Sequence, residues 1–287
     1  MRTQMEKAEA FRALHARPGA FIIPNPWDAG TAKLLAAMGF EALATTSLGV
    51  ANTMGSVTVS LDTIIENCRT IADATDLPVN ADLENGGADD PKTAAKAIAR
   101  AAEAGCVGGS IEDFTGNPRE PIYDFSLAVE RVQAAAEAAR ALPFPFTLTA
   151  RAENFLYGRK DLDDTVKRLQ AFEAAGADVL YSPGLYDLDT IRTLVSSIGK
   201  PFNLVMGFAD PTLTLDQLSK AGVKRISVGG AMARVALAGF LKCAREMKDQ
   251  GSFTYVREMA PIKEVRAAFR SLPVIPDAAQ RRSGIQR

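Results

Sequence analysis

Val79-Asn80-Ala81-Asp82-Leu83-Glu84-Asn85-Gly86-Gly87 is a short apolar segment that ends in carboxylates, and Ser110-Ile111-Glu112-Asp113 repeats the pattern further along the chain. An apolar run of this kind reads as a parallel strand buried on both faces. Acids at the carboxyl end of such a strand stand where barrel enzymes build their sites. Two strand ends that deliver Asp82, Glu84 and Glu112 point to a hard divalent cation, because Mg²⁺ prefers carboxylate and water oxygens. The competing reading is that these acids cap the helices that follow them.

The same alternation of short apolar runs and helical periodicity extends on both sides. Strands are expected near 20–24, 42–46, 78–82, 108–112, 146–151, 179–182, 202–206 and 225–228. Helices are expected between them. One begins at the N-cap Asp28 and stops at Gly39. Another opens on Pro91 and ends at Gly105, and two more stop at Gly176 and Gly222. Eight such units predict an α/β fold, one (β/α)₈ TIM barrel. A doubly wound open sheet is the alternative, but its glycine-rich first turn is absent: the first turn here is Asn25-Pro26-Trp27-Asp28. Extra helices are expected at 5–16 and 260–270, giving one barrel domain over 1–275 and a mobile tail over 276–287.

Composition narrows the function. The 287 residues carry a net charge of −1 and are 47% hydrophobic, with no sign of a basic nucleic-acid surface. No apolar run is long enough for a membrane span. Cys68, Cys106 and Cys243 lack metal-ligand spacing and read as reduced core thiols of a cytoplasmic protein. His15, the single histidine, lies in the first helix and reads as a packing residue, which argues against a Ser-His-Asp hydrolase and a histidine-bound zinc. The lysines fall on helices, turns or strand entries, which argues against a Schiff-base enzyme.

What remains at the strand ends is acidic and hydroxylic, with one cation. Thr45-Thr46-Ser47-Leu48-Gly49 offers hydroxyls and backbone N–H groups that either grip a carboxylate or cap a helix. Arg151, in Thr149-Ala150-Arg151-Ala152-Glu153, presents a fork suited to a substrate carboxylate or to ion pairs with Glu153, Asp82 or Glu112. Val228-Gly229-Gly230 stands where many barrels hold phosphate, although a glycine pair also marks any tight turn.

Five segments taken in register, Asn25-Pro26-Trp27-Asp28-Ala29-Gly30, Thr45–Gly49, Asp82-Leu83-Glu84, Ser110-Ile111-Glu112-Asp113 and Thr149–Glu153, resemble the isocitrate lyase / phosphoenolpyruvate mutase superfamily. The resemblance implies a barrel that exchanges its last helix with a neighbouring subunit, giving a homodimer or homotetramer. It implies Mg²⁺, with Mn²⁺ as the alternative, near Asp82, Glu84 and Glu112, often through water. It implies a small carboxylate substrate held by Thr46, Ser47, Leu48, Asp82 and Arg151, with Arg151 and Glu112 as the catalytic residues. Family members cleave or form a C–C or C–P bond next to an enolate, whose charge a metal and Arg151 would stabilise.

The chain departs from that pattern in three places. The lyase loop Lys-Lys/Arg-Cys-Gly-His is replaced by Phe114-Thr115-Gly116-Asn117-Pro118-Arg119-Glu120-Pro121, without the cysteine that serves as general acid. The longer gate of the phosphonate enzymes is also missing. After the second strand no carboxylate precedes Asp62, and the usual Asp-x-Asp of the third strand is Asp82-Leu83-Glu84. The expectation is therefore a Mg²⁺-dependent carbon–carbon lyase of a small 2-oxo or 2-hydroxy carboxylate, like an oxaloacetate decarboxylase, since departing CO₂ needs no protein acid. Glu84→Gln or Arg151→Ala should then abolish turnover with little effect on folding. A phosphonomutase or phosphonopyruvate hydrolase is one alternative, and a non-catalytic carboxylate-binding barrel is the other.

Overall fold

The computed structural model describes residues 2–208 and 212–270. Eight short strands occupy the expected places: β1 (Phe21–Ile23), β2 (Leu43–Ala44), β3 (Val79–Asp82), β4 (Gly108–Glu112), β5 (Thr147–Arg151), β6 (Val179–Tyr181), β7 (Phe202–Val205) and β8 (Arg225–Ser227). All pair in parallel, in the order β1-β8-β7-β6-β5-β4-β3-β2. The seam between β1 and β2 carries one backbone bond, Ala44 N–H to Pro24 C=O at 3.0 Å. Asn25 reinforces it, donating from Nδ2 to the Thr45 carbonyl while its Oδ1 accepts from Val228 and Gly229 N–H. One side chain thus ties the ends of β1, β2 and β8 together in a (β/α)₈ TIM barrel.

The helices are α1 (Gln4–Ala16), α2 (Ala29–Ala37), α3 (Ser47–Thr53), α4 (Leu61–Ala74), α5 (Pro91–Glu103), α6 (Phe125–Arg140), α7 (Leu162–Ala174), α8 (Leu188–Ser196), α9 (Leu215–Lys220), α10 (Ala231–Arg245) and α11 (Ile262–Arg270). Most begin at a side-chain cap, as the sequence predicts for Asp28, whose carboxylate accepts from Thr31 N–H at 2.7 Å. Helices and sheet bury one large apolar cluster between them, from Leu35 and Ile64 through Leu148 to Ile226. The extra helix α1 closes the amino-terminal end of the barrel, where Phe11 and Leu14 pack on Phe21, Ile23 and Val107.

The helix after β8 behaves differently. Of α10 only Ala233 is buried, and Val235 (72%) and Phe240 (68%) are exposed. Such an unpartnered apolar face is the kind a second copy covers. The other extra helix, α11, packs on α2. The expected tail over 276–287 lies outside the described residues. Among the described residues no helix is long and apolar enough to cross a membrane. Cys68 and Cys106 are buried free thiols, but Cys243 sits half-buried on α10, so the core reading fails for it.

Candidate active site

Parallel strands of matched register deliver their last residues to one rim. Glu112 and Arg151 are register partners across β4 and β5, and Asp82 ends β3 beside Ser110. The side chains meet around Arg151. Its Nη1 pairs with Asp82 Oδ1 at 3.1 Å, Nη2 with Glu112 Oε2 at 3.0 Å and Nε with Glu153 Oε1 at 2.8 Å. Its guanidinium lies 4.7 Å over the Tyr181 ring. The ion-pair reading of Arg151 therefore holds with all three candidate acids at once.

These groups floor a cavity of about 380 Å³ at the carboxyl-terminal end of the barrel. Ser47, Leu48, Asp82, Glu84, Glu112 and Arg151 all line it, so the structure gathers six of the seven expected site residues in one place. Thr46 is the correction. It is buried, and its hydroxyl accepts from Gly49 N–H at 3.2 Å as the cap of α3. Ser47 is turned to the acids instead: its N–H and its hydroxyl both donate to Asp82 Oδ2 at 3.0 Å. The capping alternative fails for the acids themselves, because α5 is capped by Asp90 and neither Asp82, Glu84 nor Glu112 caps a helix. In the Val228-Gly229-Gly230 turn the N–H groups of Val228 and Gly229 are both spent on Asn25, which leaves only that of Gly230 for a phosphate.

Charge is out of balance here. Four carboxylates, Asp82, Glu84, Glu112 and Glu153, share one cation. Burial pushes the Glu112 carboxyl well above its ordinary range, and Glu153, Asp82 and Glu84 add to the shift against the pull of Arg151. Burial raises Glu153 too, and burial plus the charge of Asp82 raises Glu84. The same acids outweigh the burial of Arg151 and hold it firmly protonated. Glu84 also sits at φ 50°, the only non-glycine residue in the left-handed region among the described residues. Such strain collects at functional sites. Arg131 stabilises the turn that imposes it, donating to the carbonyls of Asn85, Ala88 and Asp89.

A second layer holds the rim. Asp113 accepts from Glu153 N–H at 2.8 Å and pairs with Arg168 at 3.2 Å. Burial pushes its carboxyl up to about 7, against the Glu153 N–H and Arg168. Arg131 and Arg168 escaped sequence reasoning, although an arginine on the apolar face of a helix, as among Ala128, Val132 and Ala135, was the available signal. Tyr157, Tyr181, Tyr186 and Phe208 complete the cavity wall. Loop 114–122 folds on itself through a Phe114–Ile122 bridge and contributes no lining residue. Its Phe114 stacks on Tyr157 with centroids 4.1 Å apart. Asp62 is paired with Arg100 on the outside of the barrel, so it does not replace the missing second-strand acid.

A divalent cation fits this donor set. It would offset the excess charge, and Glu153 Oε2 is buried with no hydrogen-bond partner. Among the described residues no three acids are placed to hold an ion by themselves, so water and substrate oxygens must complete its shell.

Comparison with known proteins agrees with this geometry. The phosphoenolpyruvate phosphomutase family matches residues 11–248. A crystal structure of a candidate lyase/mutase from Burkholderia cenocepacia J2315 is 56% identical, with a TM-score of 0.91, over 93% of this chain and 96% of that one. The 2-methylisocitrate lyase of Escherichia coli is 28% identical over 81% of this chain and 79% of its own. The oxaloacetate decarboxylase of Chromohalobacter salexigens is 27% identical over 86% of this chain and 87% of its own.

Proposed function

The chain belongs to the phosphoenolpyruvate phosphomutase family, within the isocitrate lyase / phosphoenolpyruvate mutase superfamily of lyases and mutases, and from that premise we propose that it is a Mg²⁺-dependent carbon–carbon lyase of a small 2-oxo dicarboxylate, with oxaloacetate decarboxylation as its reaction. The observation that carries the reading is Arg151, the one basic side chain lining the cavity among the described residues, set among four carboxylates.

In this reaction the C3–C4 bond breaks, its electrons move to the C2 oxygen, and pyruvate enolate and CO₂ result. Asp82, Glu84 and Glu112 would hold Mg²⁺, which when bound supplies a Lewis acid for the substrate oxygens. Arg151 faces the oxygen on which charge develops. Its three carboxylate partners hold it rigid, so little reorganisation is needed as that charge appears. Leu48 N–H orients the substrate carboxylate at the rim, while Ser47 holds the Asp82 carboxylate beside it. Burial keeps the hydroxyls of Tyr157 and Tyr181 protonated, so either can return a proton to C3.

The C–P alternative fits less well. A phosphonate dianion needs cations, and the one that lines this cavity among the described residues is already shared by three acids. Thermal unfolding with oxalate, a mimic of the enolate, tests the site. The midpoint should rise only when oxalate and Mg²⁺ are both present, and oxaloacetate should lose CO₂ under the same conditions. Phosphate release from phosphonopyruvate in place of that reaction would move the assignment to the C–P enzymes. Absence of any shift would leave only the non-catalytic barrel.

A further inference from the structure

Barrel interiors are usually stacked with branched apolar side chains. Beneath the active-site floor this one is polar: Asn80, Thr149, Asn203 and Arg225 are all buried. The Arg225 guanidinium donates from Nε to Asn203 Oδ1 and from Nη2 to Thr149 Oγ1, both at 2.8 Å, and its Nη1 lies 3.4 Å from His15 Nε2. His15 is neutral. Its Nδ1 donates to the Phe11 carbonyl, which leaves Nε2 as an acceptor, and burial together with Arg225 pushes its pKa down to about 3. Every partner of Arg225 is therefore uncharged, and no carboxylate pairs with it among the described residues. A buried charge without a counter-charge is costly.

A cavity of about 50 Å³ separates this guanidinium from the floor made by Asp82, Arg151 and Tyr181. The surrounding groups are rich in donors. Three of the five guanidinium N–H groups face the acceptors just named, which leaves two. Ser227 Oγ accepts from Asn203 Nδ2 at 3.1 Å, so its own proton is uncommitted, and the Tyr181 hydroxyl is protonated. Asp82, the acid that lines this cavity, has both oxygens engaged by Arg151 and Ser47. Among the described residues that line it, Asn80 Oδ1 is a buried side-chain acceptor without a protein partner. A single water makes about three hydrogen bonds, fewer than the two free guanidinium N–H groups, the two hydroxyls and Asn80 together require. The volume exceeds the roughly 10–15 Å³ that a single water needs by the same measure.

We propose that this cavity is a halide site, in which a chloride-sized monovalent anion is bound by Arg225 with the hydroxyls of Ser227 and Tyr181. The ion meets the reaction only through the Tyr181 hydroxyl, one of the two proton donors named above, and a Tyr181 that serves the ion leaves that role to Tyr157. It sets the underside of the Tyr181 and Arg151 floor, so it is a structural ligand of the barrel core.

The test is thermal unfolding of the full-length protein, without oxalate or Mg²⁺, in sodium chloride, sodium bromide and sodium gluconate at equal ionic strength. Chloride and bromide should raise the midpoint over gluconate, by about 3 °C at a halide concentration tenfold above its dissociation constant. Arg225→Met should abolish the difference. Ser227→Val, which fills the cavity and removes a donor, should do the same if Arg225→Met fails to fold. Crystals grown in bromide should show an anomalous peak beside the Arg225 guanidinium. Equal midpoints in the three salts, a halide effect that survives in the variants, or bromide confined to the surface would overturn the proposal. No substrate is present, so failure here leaves the lyase reading untouched.

Discussion

Glu112 and Arg151 stand opposite each other in the β4–β5 register, and their side chains close a 3.0 Å ion pair at the carboxyl ends of both strands. The same guanidinium reaches Asp82 and Glu153, so one cation organises acids from three strand ends. That arrangement changes what mutations should do.

Arg151→Met should do more than stop turnover. The sequence-based expectation of little effect on folding does not survive the geometry, because the change strands Glu112 and Glu153 in the interior. Breaking a buried pair by removing one partner costs about 3–5 kcal/mol. The loss should be larger at pH 8 than at pH 5.5, where the carboxyls with raised pKa take up protons. Activity should fall at least about 10²-fold. Urea denaturation at the two pH values checks the first point, and wild-type stability at both would contradict the site as described.

Glu84→Asn separates chemistry from folding. Asn tolerates the left-handed backbone that Glu84 adopts at φ 50°, and it removes one charge from a crowded cluster. Stability should hold or rise by about 1 kcal/mol, while the joint stabilisation by Mg²⁺ and oxalate disappears. A full Mg²⁺–oxalate shift in this variant would remove Glu84 from the metal site.

Asp113 should leave a signature in the pH dependence of stability. Its folded-state carboxyl titrates at about 7, against an ordinary 3.8. The folded protein therefore keeps a proton that the unfolded chain releases. This contribution is fully present below about pH 4 and is lost as the pH rises to about 7. Asp113→Asn preserves an acceptor for Glu153 N–H and should flatten the unfolding midpoint between those limits. An unchanged slope would show that other acids carry it.

Phe240→Asp tests the exposed face of α10. If a second copy covers that face, the wild type should run in light scattering at a multiple of 30.6 kDa, and the variant should shift toward the single chain. A wild-type monomer would leave the apolar face of α10 without this explanation.

The elements were largely legible in the sequence because each carries a local signal. Apolar runs of strand length alternate with capped helices ended by glycine, and residue types at strand ends announce a rim of acids. Arg151 was legible as a site residue for the same reason. Its role was not, since a guanidinium at a strand end can serve a ligand or its neighbours. Thr46 and Ser47 are adjacent in the chain, and only the direction of each side chain assigns one to the helix cap and the other to Asp82.

The sequence by itself therefore determined the barrel, its eight strands and the acidic character of one end, since periodicity, capping and residue type act over a few neighbouring positions. Tertiary structure alone decided that Arg151 answers three acids, that Asn25 uses the N–H groups of the Gly229 turn, and that Arg225 meets only neutral partners in the core. Those outcomes depend on distances between residues far apart in the chain. Strand register and barrel closure set them, and no local pattern encodes them.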